Sequence, residues 1–265
     1  MRIQVYISPA QQADAVSQKL AALLREALLK ADEMEPVDER PDLVHVLGLG
    51  DRATTSLISR ANRMRIPLVI SPSGAYQPWQ RSTPSAHLLT SPRQHRNTIA
   101  IHVLSQIEQE NLTTVMPSAA RNLPSVLIAN PVVTATISEE QFCQQMLALY
   151  AATVRRHDEA VRQDIDAKTA ALNEPDGAIN NILRLTSYAS YQHQQGHIAR
   201  STLDQLAATL TNSNYDEALF AERLAQVGLT TFFTQIEALM QDHGTLTEGF
   251  MPIPAKPAAK NIVVI

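Results

Sequence analysis

Four short apolar runs constrain this chain more than any other feature: Leu43–Leu47 (LVHVL), Pro67–Ile70 (PLVI), Thr98–Leu104 (TIAIHVL) and Ser125–Ala129 (SVLIA). Each is too short for a buried helix and is bounded by Gly, Pro, Ser or Asn. Each is apolar at nearly every position, which suits a strand covered on both faces. Arg2–Ile7 adds a fifth strand, carrying Ile3, Val5 and Ile7 at alternate positions. Helical patterns lie between them. Val16, Leu20, Leu23, Leu24, Ala27 and Leu28 recur at spacings of three and four, which predicts an amphipathic helix to about Ala31. Thr54–Met64 and Gln106–Leu112 also read as helical. Leu88–Thr90 is a weaker strand candidate, and Asp32–Pro41 reads as an acidic loop. Strands alternating with helices predict a parallel sheet with right-handed crossovers.

The pattern changes after Asn130-Pro131. Ser138 with Gln141 matches a capping box, and Phe142, Met146, Leu149, Tyr150 and Val154 make the stripe of the helix it opens. Apolar residues then thin to Val161, Ile165 and Leu172, as in a solvated extension of that helix or a linker. Past the break at Pro175-Asp176-Gly177, helices are expected around Ile179–Tyr191, from a Ser201–Asp204 cap, over Asp216–Val227 up to Gly228, and over Phe232–Met240 up to Gly244. The fold class expected is α/β. A Rossmann-like parallel sheet with helices on both faces occupies residues 1–135, and a long helix or linker 136–174. A small all-α bundle occupies 175–250, and an extended, proline-containing tail 251–265.

A length of 265 residues accommodates this plan. With 45% hydrophobic and 18% charged residues the chain suits a folded core. A formal net charge of −4 provides no basic field for a phosphate backbone, so nucleic acid is not an expected partner. The single cysteine, Cys143, has no internal partner and falls in a helical stripe as a packed small hydrophobe. No apolar stretch reaches the ~20 residues of a membrane span. The start, MRIQVYIS, lacks the features of a signal peptide, so the expected location is cytoplasmic.

Parallel sheets of this kind open a ligand crevice at the carboxyl ends of their strands. The loops there are Ser8–Ala10, Gly48–Asp51, Ser71–Trp79 and Ser105–Glu108. Within them Gly48, Gly50, Asp51, Ser73, Gly74, Tyr76, Trp79 and Ser105 are the candidate ligand-binding residues. Gly48-Leu49-Gly50 is either a plain tight turn or a loop presenting backbone N–H groups to a phosphate or sugar. Trp79 either packs a sugar face or anchors its loop. His45 and His102 lie within strands and read as satisfied core histidines. His87, His95 and His102 lack ligand spacing, and His193 and His197 lack a third ligand, so no metal is expected. No Walker loop, paired carboxylates or nucleophile–base set is present, so no catalytic residue and no cofactor is assigned.

Pro41–Trp79 reads PDLVHVLGLG and then, after a helix, ANRMRIPLVISPSGAYQPW. With HVLSQIEQENL at His102–Leu112 and VLIANPV at Val126–Val132, it resembles the N-terminal, acceptor-side domain of retaining family 4 glycosyltransferases of GT-B architecture. The four segments cover about 90 residues in the family's order and spacing. The departures are specific. Ser8-Pro9-Ala10 stands where the family has a double-glycine loop, and Ser73 where it has the histidine of its S-P-H-G segment. A single helix bridges a gap where the family has two further strands. Residues 134–265 show no strand–glycine–helix alternation, whereas the family has there a second Rossmann domain that binds the sugar nucleotide. The resemblance therefore implies a glycosyltransferase-like protein of glycan or polysaccharide biosynthesis. It would lack the donor-nucleotide domain, would be inactive alone, and would bind a saccharide acceptor. The alternative is a non-catalytic scaffold or protein-interaction module, meeting a protein partner or a second copy through its helical domain. A third reading is an enzyme of unrelated chemistry in the same crevice.

Overall fold

The structure, a computed structural model, describes residues 1–49, 51–76, 98–115, 124–242 and 262–264. The chain divides into two compact units, Met1–Asp158 and Glu159–Ile265.

The first unit is built on β1 (Arg2–Ile7), α1 (Ala15–Lys30), β2 (Glu35–Pro36), β3 (Leu43–Leu47), α2 (Arg52–Met64), β4 (Leu68–Ser71), β5 (Thr98–Val103), α3 (Gln106–Val115) and β6 (Ser125–Leu127). All pairings are parallel, in the order β2-β1-β3-β4-β5-β6. The fold is thus α/β and Rossmann-like. The stub β2 lies inside the segment expected to be a loop. Two residues paired to Arg2 and Ile3 leave no periodicity to detect.

Strand alternation sends side chains to two covered faces. On one, Ile3, Val5, Leu43, Leu47, Val69 and Ala100 meet Leu20, Leu24 and Leu28 of α1. On the other, Val44, Val46, Leu68, Ile70, Ile101 and Val103 meet Ile58 and Ala61 of α2 and Leu112 of α3. A register shift after Leu68 pairs Val69 with Ala100 and Ile70 with Ile101. Because strand side chains alternate with period two, that shift puts His102 on the same face as Ser71.

A single helix, α4 (Glu139–Ala170), covers the region expected as a long helix or linker. Its capping box is formed: the Gln141 N–H donates to Ser138 Oγ at 3.1 Å, and the Ser138 N–H to Gln141 Oε1 at 3.1 Å. Within the first unit, its residues Phe142, Met146, Leu149 and Tyr150 join the core that α1 covers.

The second unit is helical up to Asp242, with α5 (Gly177–Gln194), α6 (Arg200–Asn212), α7 (Glu217–Gln226) and α8 (Thr230–Asp242), and its described residues 262–264 are extended, with Val264 bridged to Ile198. Its core gathers Ile182, Leu206, Phe220, Phe233 and Ile236, with Phe220 and Phe233 edge-to-face at 5.1 Å. Asp176 and Asp216 cap α5 and α7 by accepting from the first backbone N–H groups. The Ser201–Asp204 cap does not form. Helix α6 begins at Arg200, with Ala199 as its N-cap and no side-chain cap bond. The buried Ile198 donates its N–H to Val263 and ends the extended chain there. The Ala199 carbonyl then takes the first helical bonds, two residues ahead of Ser201. Gly244, the Leu88–Thr90 strand candidate and the tail over 251–260 lie outside the described residues.

Candidate functional site

The strand order places the topological switch point between β1 and β3, where sheets of this type hold their ligands. Here the two loops close on each other. Ser8 is fully buried, and its N–H donates to the Leu47 carbonyl at 2.8 Å. Its Oγ donates to Asp51 Oδ2. Asp51 also caps α2, accepting from Thr54 N–H and Thr54 Oγ1, each at 2.7 Å. Burial pushes the Asp51 carboxyl up, but bonds from Ser8, Thr54 and the Ala10 amide outweigh it and hold the group below its usual range.

Gly48 adopts φ +83°, a conformation that favours glycine. Its N–H is already donated to the Ser71 carbonyl at 2.8 Å. A Cβ built on it would lie 2.3 Å from Gln11 Cγ and 3.2 Å from Ser8 Cβ. Gln11 and Ser8 therefore fill the space beside Gly48 that a side chain there would need.

A second closure joins the loops after β4 and β5. Glu108, in the first turn of α3, is fully buried. It accepts the Gly74 N–H at 2.8 Å and the Leu104 N–H at 3.2 Å. Burial raises its carboxyl pKa, and bonds from the Leu104, Gly74 and Tyr76 amides partly offset the rise. Ser105 Oγ accepts the Glu108 N–H at 3.2 Å. Ser73, at φ +54°, donates to the Ser71 carbonyl at 3.3 Å. Tyr76 is a core residue at 2% exposure, and its carbonyl accepts from Asn111 Nδ2 at 2.6 Å. Its Oη is buried with no hydrogen-bond partner among the described residues.

A polar chain crosses the sheet beneath these loops, on the face covered by α4. Tyr150 Oη lies 2.6 Å from His45 Nδ1, and His45 Nε2 lies 2.7 Å from Ser71 Oγ. Ser71 Oγ lies 2.7 Å from His102 Nδ1, and His102 Nε2 lies 3.1 Å from the Ile128 carbonyl. All four side chains are at most 1% exposed. Burial, with the neighbouring His102, holds the His45 imidazole well below its usual pKa, and burial pushes His102 down to about 4. Both rings are neutral at pH 7, so each has one donor and one acceptor nitrogen.

One end fixes every proton. A carbonyl only accepts, so His102 carries its proton on Nε2 and accepts at Nδ1. Ser71 must then donate to His102 and accept from His45 Nε2–H. That leaves His45 Nδ1 to accept the Tyr150 hydroxyl. The chain runs one way, from Tyr150 to Ile128, with every ring nitrogen satisfied.

No family model, curated protein or solved structure matches this chain. Its function is therefore read from its own geometry.

Six of the eight candidate residues fall among those described, and all six make contacts within the protein. Asp51 and Gly48 join the β1 loop to β3 and β3 to β4, Ser73 bonds back to Ser71 within the β4 segment, and Gly74, Tyr76 and Ser105 gather around Glu108 and Asn111. Gly50 and Trp79 lie outside the described residues. No three His, Cys, Asp or Glu side chains come together as a metal-ligand set among the described residues. No described helix is long and apolar enough to cross a membrane.

Sequence reasoning missed Gln11 as a cover, Glu108 as a latch, and the partnership of Tyr150 with the strand histidines. One signal was readable. LVHVL and TIAIHVL each carry one internal polar residue, and a serine directly follows PLVI. A lone polar group in each of three adjacent buried strands needs partners, and its neighbours are the nearest supply.

Proposed function

We propose that this chain is a non-catalytic interaction module, in which a Rossmann-like unit serves as scaffold and a helical unit carries contacts. One observation carries this reading: the Gly48 N–H is bonded to Ser71, and the space beside that glycine is filled by Gln11 and Ser8. A sugar transferase must stabilise the negative charge of a departing nucleoside diphosphate with cations, helix ends or a metal positioned beforehand. The switch-point groups described above are spent on one another. The likeness of Pro41–Trp79 to a glycosyltransferase acceptor half fits a unit derived from such an enzyme of glycan synthesis, kept for its sheet.

Binding of a saccharide acceptor is the second reading. It is favoured by the buried Tyr76 hydroxyl, which has no hydrogen-bond partner among the described residues and directly precedes the segment carrying Trp79. Incubating the purified chain with UDP- and GDP-sugars and oligosaccharide acceptors tests the first reading. No transfer is expected, and turnover would refute it. Trp79 is the only tryptophan, so its fluorescence reports the second. A saturable change with an oligosaccharide, matched by a thermal shift, would favour that reading over the first.

A further inference from the structure

One face of the first unit concentrates positive charge that the chain as a whole does not have. From Arg52 to Ile107 the sequence carries seven arginines and no lysine, aspartate or glutamate, although the formal net charge of the chain is −4. Four of the seven, Arg52, Arg60, Arg63 and Arg65, sit on α2 and at its C-cap, and all four are exposed. Helical spacing puts Arg52, Arg60 and Arg63 within about 80° of one another around the axis and spreads them over about 16 Å along it. The core-facing residues Thr54, Ile58 and Ala61 lie on the opposite side. Among the described residues none of the four guanidinium groups makes an ion pair or a hydrogen bond. Other cations of this unit are paired: Arg2 with Asp42, Lys19 with Glu139 and Lys30 with Glu26. Towards the C-terminal end of α2 the stripe meets a cavity of about 410 Å³. Val44, Leu57 and Met64 give it apolar walls, Arg60 borders it from α2, and the loop Asp38–Arg40 borders it from the segment before β3.

We infer that the exposed face of α2 is a docking surface for an acidic protein segment that carries a large aliphatic residue beside its carboxylates. The carboxylates lie along the arginine stripe, where a planar guanidinium takes a carboxylate through two parallel N–H bonds. About five residues of extended chain span the stripe. The aliphatic residue enters the cavity. The distribution of charge selects this partner among polyanions. A nucleic acid keeps its charge along its whole length and would set phosphates against Asp38 and Glu39, and α2 has no aromatic residue on which a base could stack. An anionic bilayer is held by apolar side chains inserted beside the basic ones, and the exposed residues of α2 are only Arg, Ser and Ala. A segment that is acidic at one end and apolar at the other meets neither obstacle. This surface adds to the interaction-module reading, which gives the contacts to the helical unit, and does not depend on it.

The test uses the full chain and a fluorescein-labelled peptide, LEEDEEL, with a leucine at each end so that either chain direction seats one. Fluorescence anisotropy at about 50 mM salt should show saturable binding, weakened several-fold at about 500 mM. The peptides SEEDEES, without the anchors, and LQQNQQL, without the charges, should each bind about tenfold more weakly. The methyl signals of Leu57 and Met64 should shift by NMR with LEEDEEL and stay in place with SEEDEES. Combining Arg52→Gln, Arg60→Gln and Arg63→Gln should weaken LEEDEEL about tenfold. The same loss of charge at other exposed positions, by Lys30→Gln, Arg155→Gln and Arg200→Gln, should leave binding unchanged. No saturable binding up to about 1 mM, equal binding of SEEDEES, or an equal loss in the two triple variants overturns the proposal. So does tighter binding of oligothymidylate or of phosphatidylserine vesicles that the α2 variant abolishes, which would make a nucleic acid or a membrane the partner. The peptide comparisons are made on the unaltered chain, so they decide the matter even where a variant misfolds.

Discussion

Replacing Ser71 with Ala cuts the buried polar chain at its centre. In the folded protein Ser71 Oγ serves both neighbours, at 2.7 Å to His45 Nε2 and 2.7 Å to His102 Nδ1. Alanine leaves His102 Nδ1 without a donor, and His102 cannot move its proton because Nε2–H is committed to the Ile128 carbonyl. His45 can shift its proton between nitrogens, but either tautomer leaves one nitrogen unmatched, since Tyr150 is its remaining partner. Two buried groups are therefore orphaned, each at a cost of about 1–3 kcal/mol, so the loss is about 2–6 kcal/mol. Tyr150→Phe removes only the donor to His45 Nδ1 and should cost about 1–3 kcal/mol. Urea unfolding at pH 8, where both rings are neutral in either state, measures both. The expected order is Ser71→Ala worse than Tyr150→Phe, with the unfolding slope unchanged. A Ser71→Ala loss below about 1 kcal/mol, or the reverse order, would refute the one-way chain.

Three further outcomes are expected. Stability should fall in acid: an unfolded histidine takes its proton near pH 6.5, whereas His102 resists until about 4. The unfolded state thus binds more protons in that window, and His102 alone contributes a loss of about 1.4 kcal/mol per pH unit, near 3 kcal/mol in all. His45 adds to it in the same direction, and a flat profile between pH 6.5 and 4.5 in thermal melts would contradict both. Gly48→Ala should cost about 2–4 kcal/mol by denaturation, from the positive φ and the clash with Gln11. Adding Gln11→Ala should recover the steric part and leave about 1 kcal/mol of backbone strain; simple additivity of the two losses would show that Gln11 does not cover Gly48. Glu108→Gln should cost about 1–3 kcal/mol by setting an amide NH₂ among backbone donors. Hydrogen exchange should then quicken at Gly74 and Leu104, and unchanged protection there would rule out the latch.

The strands β1, β3, β4 and β5, the amphipathic α1 and the helices of the second unit were legible because each is written in local periodicity. Burial on two faces needs continuous apolar runs, and burial on one helix face needs spacings of three and four. The Ser138–Gln141 box and the Asp216 start were legible for the same reason, since caps act across three residues. The two-residue β2, the start of α6 at Arg200 and the register shift after Leu68 were decided by pairing with distant segments, which leaves no periodic trace. The site divides the same way. The ends of β1 at Ile7 and β3 at Leu47 fell where expected, whereas Ser71 still pairs within β4 and Gln106 already opens α3. Whether those loops open to a ligand depended on which side chains from elsewhere reach them. Gln11 over Gly48, Glu108 on Gly74 and Tyr150 on His45 join residues 34 to 105 positions apart along the chain. Hydrogen bonds and contacts of this kind act over a few ångströms in space, so only the folded chain determines which groups they join.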